Sequence, residues 1–74
     1  MKVVSKFKDG NGRLLVILET PNGHLVGEVY MNGKYERGKW DSRASFYTYD
    51  KDASEYRVRE YFGFDTEDTY EVER

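Results

Sequence analysis

The chain is expected to fold as an all-β domain, a small antiparallel meander of five to six strands curled into an SH3-like or OB-like barrel or half-barrel. Three observations carry this. Leu14-Leu15-Val16-Ile17-Leu18 is a run of five large aliphatics bracketed by Asp9-Gly10-Asn11-Gly12 and Thr20-Pro21-Asn22-Gly23. Short segments on either side alternate apolar and polar residues with period two. Turn dipeptides recur at short intervals, which suits tight antiparallel connections.

An extended chain points successive side chains to opposite faces. Leu14, Val16 and Leu18 therefore face one way and Leu15 and Ile17 the other. Both faces of this strand need cover, so it is expected to be central in a curled sheet or to be shielded by a partner.

Before it, residues 2–8 alternate, with Val3, Ser5 and Phe7 on one face and Lys2, Val4, Lys6 and Lys8 on a wetter one. The turn at residues 9–12 follows, because Asn, Asp and Gly tolerate positive φ. After the central strand, Pro21 presets φ at the second turn position and Gly23 ends the turn.

Residues 24–31 make a third strand, and Asn32-Gly33 is the strongest hairpin signal. A two-residue loop there sets Tyr30 against Tyr35, Glu28 against Arg37, Gly27 against Gly38 and Leu25 against Trp40. Facing glycines would let the sheet bend sharply. In the same region Gly27-Glu28-Val29-Tyr30-Met31-Asn32-Gly33-Lys34, followed by Gly38-Lys39-Trp40, is similar to one unit of MORN-type hairpin repeats. The spacing after Asn32-Gly33-Lys34 is longer than in that unit and no second unit follows at a fixed period, so the chain is not read as a repeat array.

Asp41-Ser42-Arg43 reads as a loop, Phe46 to Tyr49 as a short strand and Glu55 to Phe62 as a longer one. A helix over 50–62 would place Ala53, Tyr56 and Glu60 on one face, but the period-two pattern and β-formers of residues 56–62 favour a strand. The register pairing Phe46 with Val58 and Thr48 with Tyr56 leaves Tyr47, Tyr49, Arg57, Arg59 and Tyr61 on the opposite face. Gly63-Phe64-Asp65 breaks the pattern. Residues 69–73 alternate again, with Tyr70 and Val72 inward, and pair with the first strand so that Glu71 and Glu73 meet Lys2, Lys6 and Lys8. A short helix over 66–72 is the rival reading.

Composition bounds the function. With 74 residues, 38% hydrophobic and 35% charged, the chain is expected to be a single domain of residues 1–74 with a small core, to which its aromatics, 16% of residues, add bulk. Cysteine is absent, excluding disulfides and thiolate metal sites. There is neither a long apolar run nor a signal-peptide core near Met1, so a cytoplasmic location is expected and no membrane association. The net charge of −2 is unevenly spread: residues 1–43 carry eight Lys/Arg and five Asp/Glu, residues 44–74 four and nine. Such halves favour mutual packing over a basic surface for nucleic acid.

Catalytic groupings are lacking. His24 follows a turn, where a surface role outweighs acid–base chemistry, and Ser5, Ser42, Ser45 and Ser54 have no histidine at a recognisable spacing. Asp50, Asp52 and Ser54 match the first ligands of a calcium loop, but Glu55 and Tyr61 stand where glycine and glutamate are needed. Asp65, Glu67 and Asp68 read as a solvated acidic turn, and Gly10-Asn11-Gly12 as turn chemistry and not a phosphate loop. No enzyme activity, cofactor or metal is expected.

The remaining constellation is Tyr47, Tyr49, Arg57, Arg59 and Tyr61. Tyrosines beside guanidinium groups suit protein interfaces, and also the stacked bases of single-stranded nucleic acid. In a core short of aliphatics they also suit plain packing. The expected function is a non-catalytic interaction module, of adaptor or inhibitor type, that binds a protein partner through these five residues. The alternatives are a single-stranded nucleic-acid binder, disfavoured by the acidic second half, and a structural homodimer.

Overall fold

The structure, a computed structural model, describes residues 1–30, 43–47 and 54–72, the middle segment by its backbone. Among the described residues five strands, β1 (Lys2–Lys8), β2 (Leu14–Glu19), β3 (Leu25–Tyr30), β4 (Arg43–Tyr47) and β5 (Tyr70–Val72), accompany one helix, α1 (Glu55–Tyr61). The sheet is antiparallel and ordered β4-β3-β2-β1-β5. β1 to β3 form the antiparallel meander that the turn signals at residues 9–12 and 20–23 predict, β4 lines the other edge of β3, and β5 adds three residues along β1.

β2 is the centre of this sheet. Its five aliphatics are all buried, Leu15, Val16 and Ile17 completely. Burying each such side chain contributes about 1.5–3 kcal/mol, so this short strand supplies much of the hydrophobic stabilisation. Two clusters flank it. Leu15 and Ile17 join Phe7, Leu25, Val29, Val58 and Phe64 on the face covered by α1. Leu14, Val16 and Leu18 join Val26 and Tyr30 on the opposite face, with Val3 and Val72 packed against them.

The β1–β2 and β2–β3 turns share one construction. In the β1–β2 turn the Asp9 carboxylate accepts from the backbone N–H of Arg13 at 2.9 Å, and in the β2–β3 turn the Thr20 hydroxyl accepts from that of His24 at 3.1 Å. Gly12 and Gly23, at φ of 81° and 85°, occupy the left-handed position each turn requires. The turns expected at Asn11-Gly12 and at Thr20-Pro21-Asn22-Gly23 are thus formed, with the Gly23 N–H donating to the Thr20 carbonyl at 2.9 Å and Pro21 at the second position.

Several expectations are corrected. Residues 55–61 are helical and not a strand, which removes the pairing of Phe46 with Val58 and of Thr48 with Tyr56. The sheet is consequently open, not curled into a barrel, because a helix covers one face of β2. Phe46 pairs with Gly27 instead, and β4 begins at Arg43, a residue expected in a loop. The register expected across Asn32-Gly33 involves residues outside the description, and β4 occupies the edge of β3 that it would have used.

A bulge between Val3 and Ser5 also breaks the alternation of β1. Val3 thereby joins the cluster away from the helix and Val4 the cluster beneath it, the reverse of the expected assignment. Lys6 and Lys8 pair with Val16 and Leu14 and are half-buried, so their face is not a wet lysine face.

β5 pairs with β1 as expected, but its register sets Glu71 opposite Phe7, and Val72 and Tyr70 opposite Lys6 and Lys8. Exposed ion pairs are worth about 0.2–1 kcal/mol, less than burying an apolar side chain, so packing Val72 into its cluster outweighs the glutamate–lysine pairing. Tyr70, expected inward, is 57% exposed.

Candidate interaction surface on the helix

Seven residues make a helix too short to persist alone, so α1 depends on its ends and its packing. Ser54 enters it extended, at φ −83° and ψ 164°, and Glu55 places a negative charge in the first turn. The Ser5 hydroxyl, buried in β1, donates to the Glu55 carboxylate at 2.5 Å and ties that end to the sheet. At the other end Gly63 is left-handed at φ 75°. Its N–H donates to the Glu60 carbonyl at 3.1 Å and the Phe64 N–H to the Arg59 carbonyl at 2.7 Å, the paired bonds of a Schellman stop.

Two arginines hold the segment after this stop. Arg59 stacks its guanidinium 4.3 Å from the centroid of the Phe7 ring, and its Nε donates to the Phe64 carbonyl at 3.0 Å. Arg13 lies 4.6 Å from the centroid of the Phe64 ring, pairs its Nε with the Asp9 carboxylate at 2.7 Å, and reaches the Phe62 carbonyl at 3.3 Å. Burial alone would raise the pKa of the Asp9 carboxyl. The hydrogen bonds from Arg13 and Asn11, with the Arg13 charge, outweigh it and hold the carboxyl below its ordinary range.

With Val58 buried against the sheet, helical periodicity puts Tyr56 and Glu60 on the outer ridge. Arg57 and Tyr61 lie on one flank and Arg59 on the other. Tyr56 is 53% exposed and Tyr61 60%, with Tyr61 packed edge-on to Phe62 at 4.9 Å between centroids. Arg57 and Glu60 are exposed too.

The five residues singled out in the sequence are thus divided. Arg57 and Tyr61 share a helix flank, whereas Arg59 is committed to Phe7 and Phe64. Tyr47 pairs with Val26, whose side chain belongs to the cluster on the face away from α1, so the register does not bring it beside Arg57 and Tyr61. Tyr49 lies outside the described residues. Tyr56 and Glu60 were not singled out; the signal was their spacing of four on a segment started by Ser54 and stopped by Gly63.

Among the described residues no group of three or more His, Cys, Asp or Glu is placed to hold a metal. Asp50 and Asp52 lie outside them. Residues 65–68 form an exposed acidic loop, as expected, within which the Thr66 hydroxyl donates to Asp68. A shallow depression between Met1, Lys2, Glu19, Thr20 and Pro21 brings together no grouping suited to catalysis. No described helix is long and apolar enough to cross a membrane. Compared with known protein families, curated proteins and solved structures, the chain matches none of them.

Proposed function

We propose that this protein is a non-catalytic interaction module, and that the outer side of α1, centred on Arg57 and Tyr61 and extended by Tyr56, is where it meets a protein partner. One observation carries the reading: two tyrosines stand more than half exposed on a helix whose single buried side chain is Val58. Tyrosine offers a large, rigid contact area at small entropic cost, and with arginine it dominates interface hot spots. Arg59 and Arg13 act from behind, fixing the helix and its exit to the sheet. The module is proposed to work in the cytoplasm and without a cofactor.

The test is affinity purification with the wild-type chain and with an Arg57→Ala/Tyr61→Ala variant whose circular dichroism and melting temperature match the wild type. A co-purifying protein lost with the variant is the expected result. Equal recovery by both would refute the assignment of this surface. Chemical-shift changes of the α1 amides on adding an oligothymidine at low salt would instead favour the single-stranded nucleic-acid reading.

A further inference from the structure

We infer that the element received by this helix surface is basic, an arginine- or lysine-bearing loop or segment of another protein; the inference rests on the protein-binding reading above and specifies its partner. Glu60 on the helix, Asp65, Glu67 and Asp68 on the loop after it, and Glu71 on β5 are all exposed. Glu71 is set opposite Phe7, a member of the cluster beneath the helix, which assigns it to the helix side of the sheet. Asp68 borders Gly10 at the tip of the β1–β2 turn.

Between residues 54 and 72 the cations are Arg57 and Arg59, and the guanidinium of Arg59 is engaged with Phe7 and the Phe64 carbonyl. Lys6 and Lys8 pair with Val16 and Leu14, of the cluster on the opposite face. The helix side thus carries Glu60, Asp65, Glu67, Asp68 and Glu71 against the exposed Arg57, while Lys6 and Lys8 lie on the other side, where Glu28 also sits and accepts from the Tyr30 hydroxyl.

Exposed tyrosine rings beside carboxylates form a surface with a definite preference. A guanidinium or ammonium group gains from the ring face and from the neighbouring carboxylates together. These carboxylates outnumber the exposed cation of the helix, Arg57, whose own part in the surface is to donate to the partner's backbone carbonyls. A phosphate backbone meets the same carboxylates as like charges. At physiological ionic strength only charges within about 8 Å of one another act strongly. Glu60 and the tyrosines satisfy this by sharing two turns of one helix, while the loop and β5 carboxylates steer a basic partner on approach.

The experiment is an amide chemical-shift titration of the full chain with a short peptide of alternating arginine and glycine, beside a matched peptide in which citrulline, the uncharged analogue, replaces arginine. The expected result is shifts at residues 55–61 and 65–71 with the arginine peptide alone, suppressed by salt. A Tyr56→Ala/Tyr61→Ala variant, which leaves the net charge unchanged, is expected to weaken binding by about fivefold or more.

Equal binding of the citrulline peptide, undiminished binding by the alanine variant, or shifts confined to β1 would each overturn the inference. So would concentration-dependent shifts of the same amides without peptide, which would make the occupant a second copy of the chain. Failure of the peptide to bind, with a co-purifying protein still lost on changing Arg57 and Tyr61, overturns the basic character of the partner and leaves the protein-binding reading standing. Failure of both experiments overturns both.

Discussion

Gly27 in β3 lies so close beneath Val58 in α1 that a β carbon added there would come within 2.4 Å of the valine Cγ1 and 2.7 Å of Phe62 Cε2. The helix sits on the sheet at this height because residue 27 has no side chain. Gly27→Ala is therefore expected to destabilise the domain by about 1–3 kcal/mol through overpacking, despite the better strand propensity of alanine. Val58→Ala removes a fully buried side chain and costs about 2 kcal/mol by itself. Because the second change makes room for the first, the double variant is expected to lose less than the sum, by about 0.5 kcal/mol or more in a denaturant-melt cycle. Additive losses would show that the helix is held at this position by something other than the glycine contact.

The Asp9 carboxylate is a second point of leverage, because it organises the β1–β2 turn and through Arg13 grips the segment after the helix. Its pKa is depressed on folding, so the stability it contributes is present above its ordinary value of 3.8 and is lost as pH falls through the lower folded value. Asp9→Asn keeps a side-chain acceptor but removes the charge opposite Arg13. At neutral pH it is expected to cost about 1–3 kcal/mol, and the gap from wild type is expected to narrow as pH is taken well below 4. Urea melts at neutral and strongly acid pH check this, and a gap unchanged between them would place the cost elsewhere.

The strands and turns up to Tyr30 were legible because their signals are local. Period-two alternation, five consecutive aliphatics and two Asn-Gly turns act within a few residues. Residues 55–62 were not legible by the same rule. Tyr56, Val58 and Phe62 suit a strand and a helix equally by type, and only the distant Gly27 provides the space that lets Val58 and Phe62 pack as a helical pair. The local markers that do favour a helix are Ser54 before it, Glu55 in its first turn and Gly63 after it, and they weigh less than residue type in a segment of seven. The bulge in β1 escaped for a related reason. Lys2 to Lys8 alternates cleanly on paper, which sends Val3 to the Phe7 face and Val4 to the other, and the bulge exchanges the two, so that Val4 packs with Phe7 beneath the helix and Val3 beside Leu18 on the opposite face. The binding constellation inherited the strand error: in a strand Arg57 and Arg59 share a face, and in a helix they part.

Gly63 tests the helix stop directly. At φ 75° with two backbone hydrogen bonds closing across it, the position suits glycine and strains any residue with a β carbon. Gly63→Ala is expected to cost about 1 kcal/mol, seen as a lowered melting temperature and faster hydrogen exchange at the Phe64 amide. No space limits this site, since nothing lies within 4 Å of the added carbon. Backbone strain is thus isolated from packing, and a neutral outcome would mean that the helix ends without needing a left-handed residue.

Arg57 and Arg59 separate interaction from architecture. Two residues apart and chemically identical, they sit on different flanks of α1, one exposed and one lying over Phe7 while donating to the Phe64 carbonyl. Arg59→Ala forfeits a cation–ring contact and a hydrogen bond to a backbone carbonyl, and is expected to cost about 1–2 kcal/mol. Arg59→Lys keeps the charge without the planar fork, and recovers only part of that. Arg57→Ala is expected to change stability by less than about 0.5 kcal/mol, as exposed positions do. Partner capture should respond in the opposite order, falling with Arg57→Ala and holding with Arg59→Lys under conditions where both variants are folded. Capture that followed stability instead, weakened by the Arg59 change and untouched by the Arg57 one, would move the interaction surface off this flank of the helix.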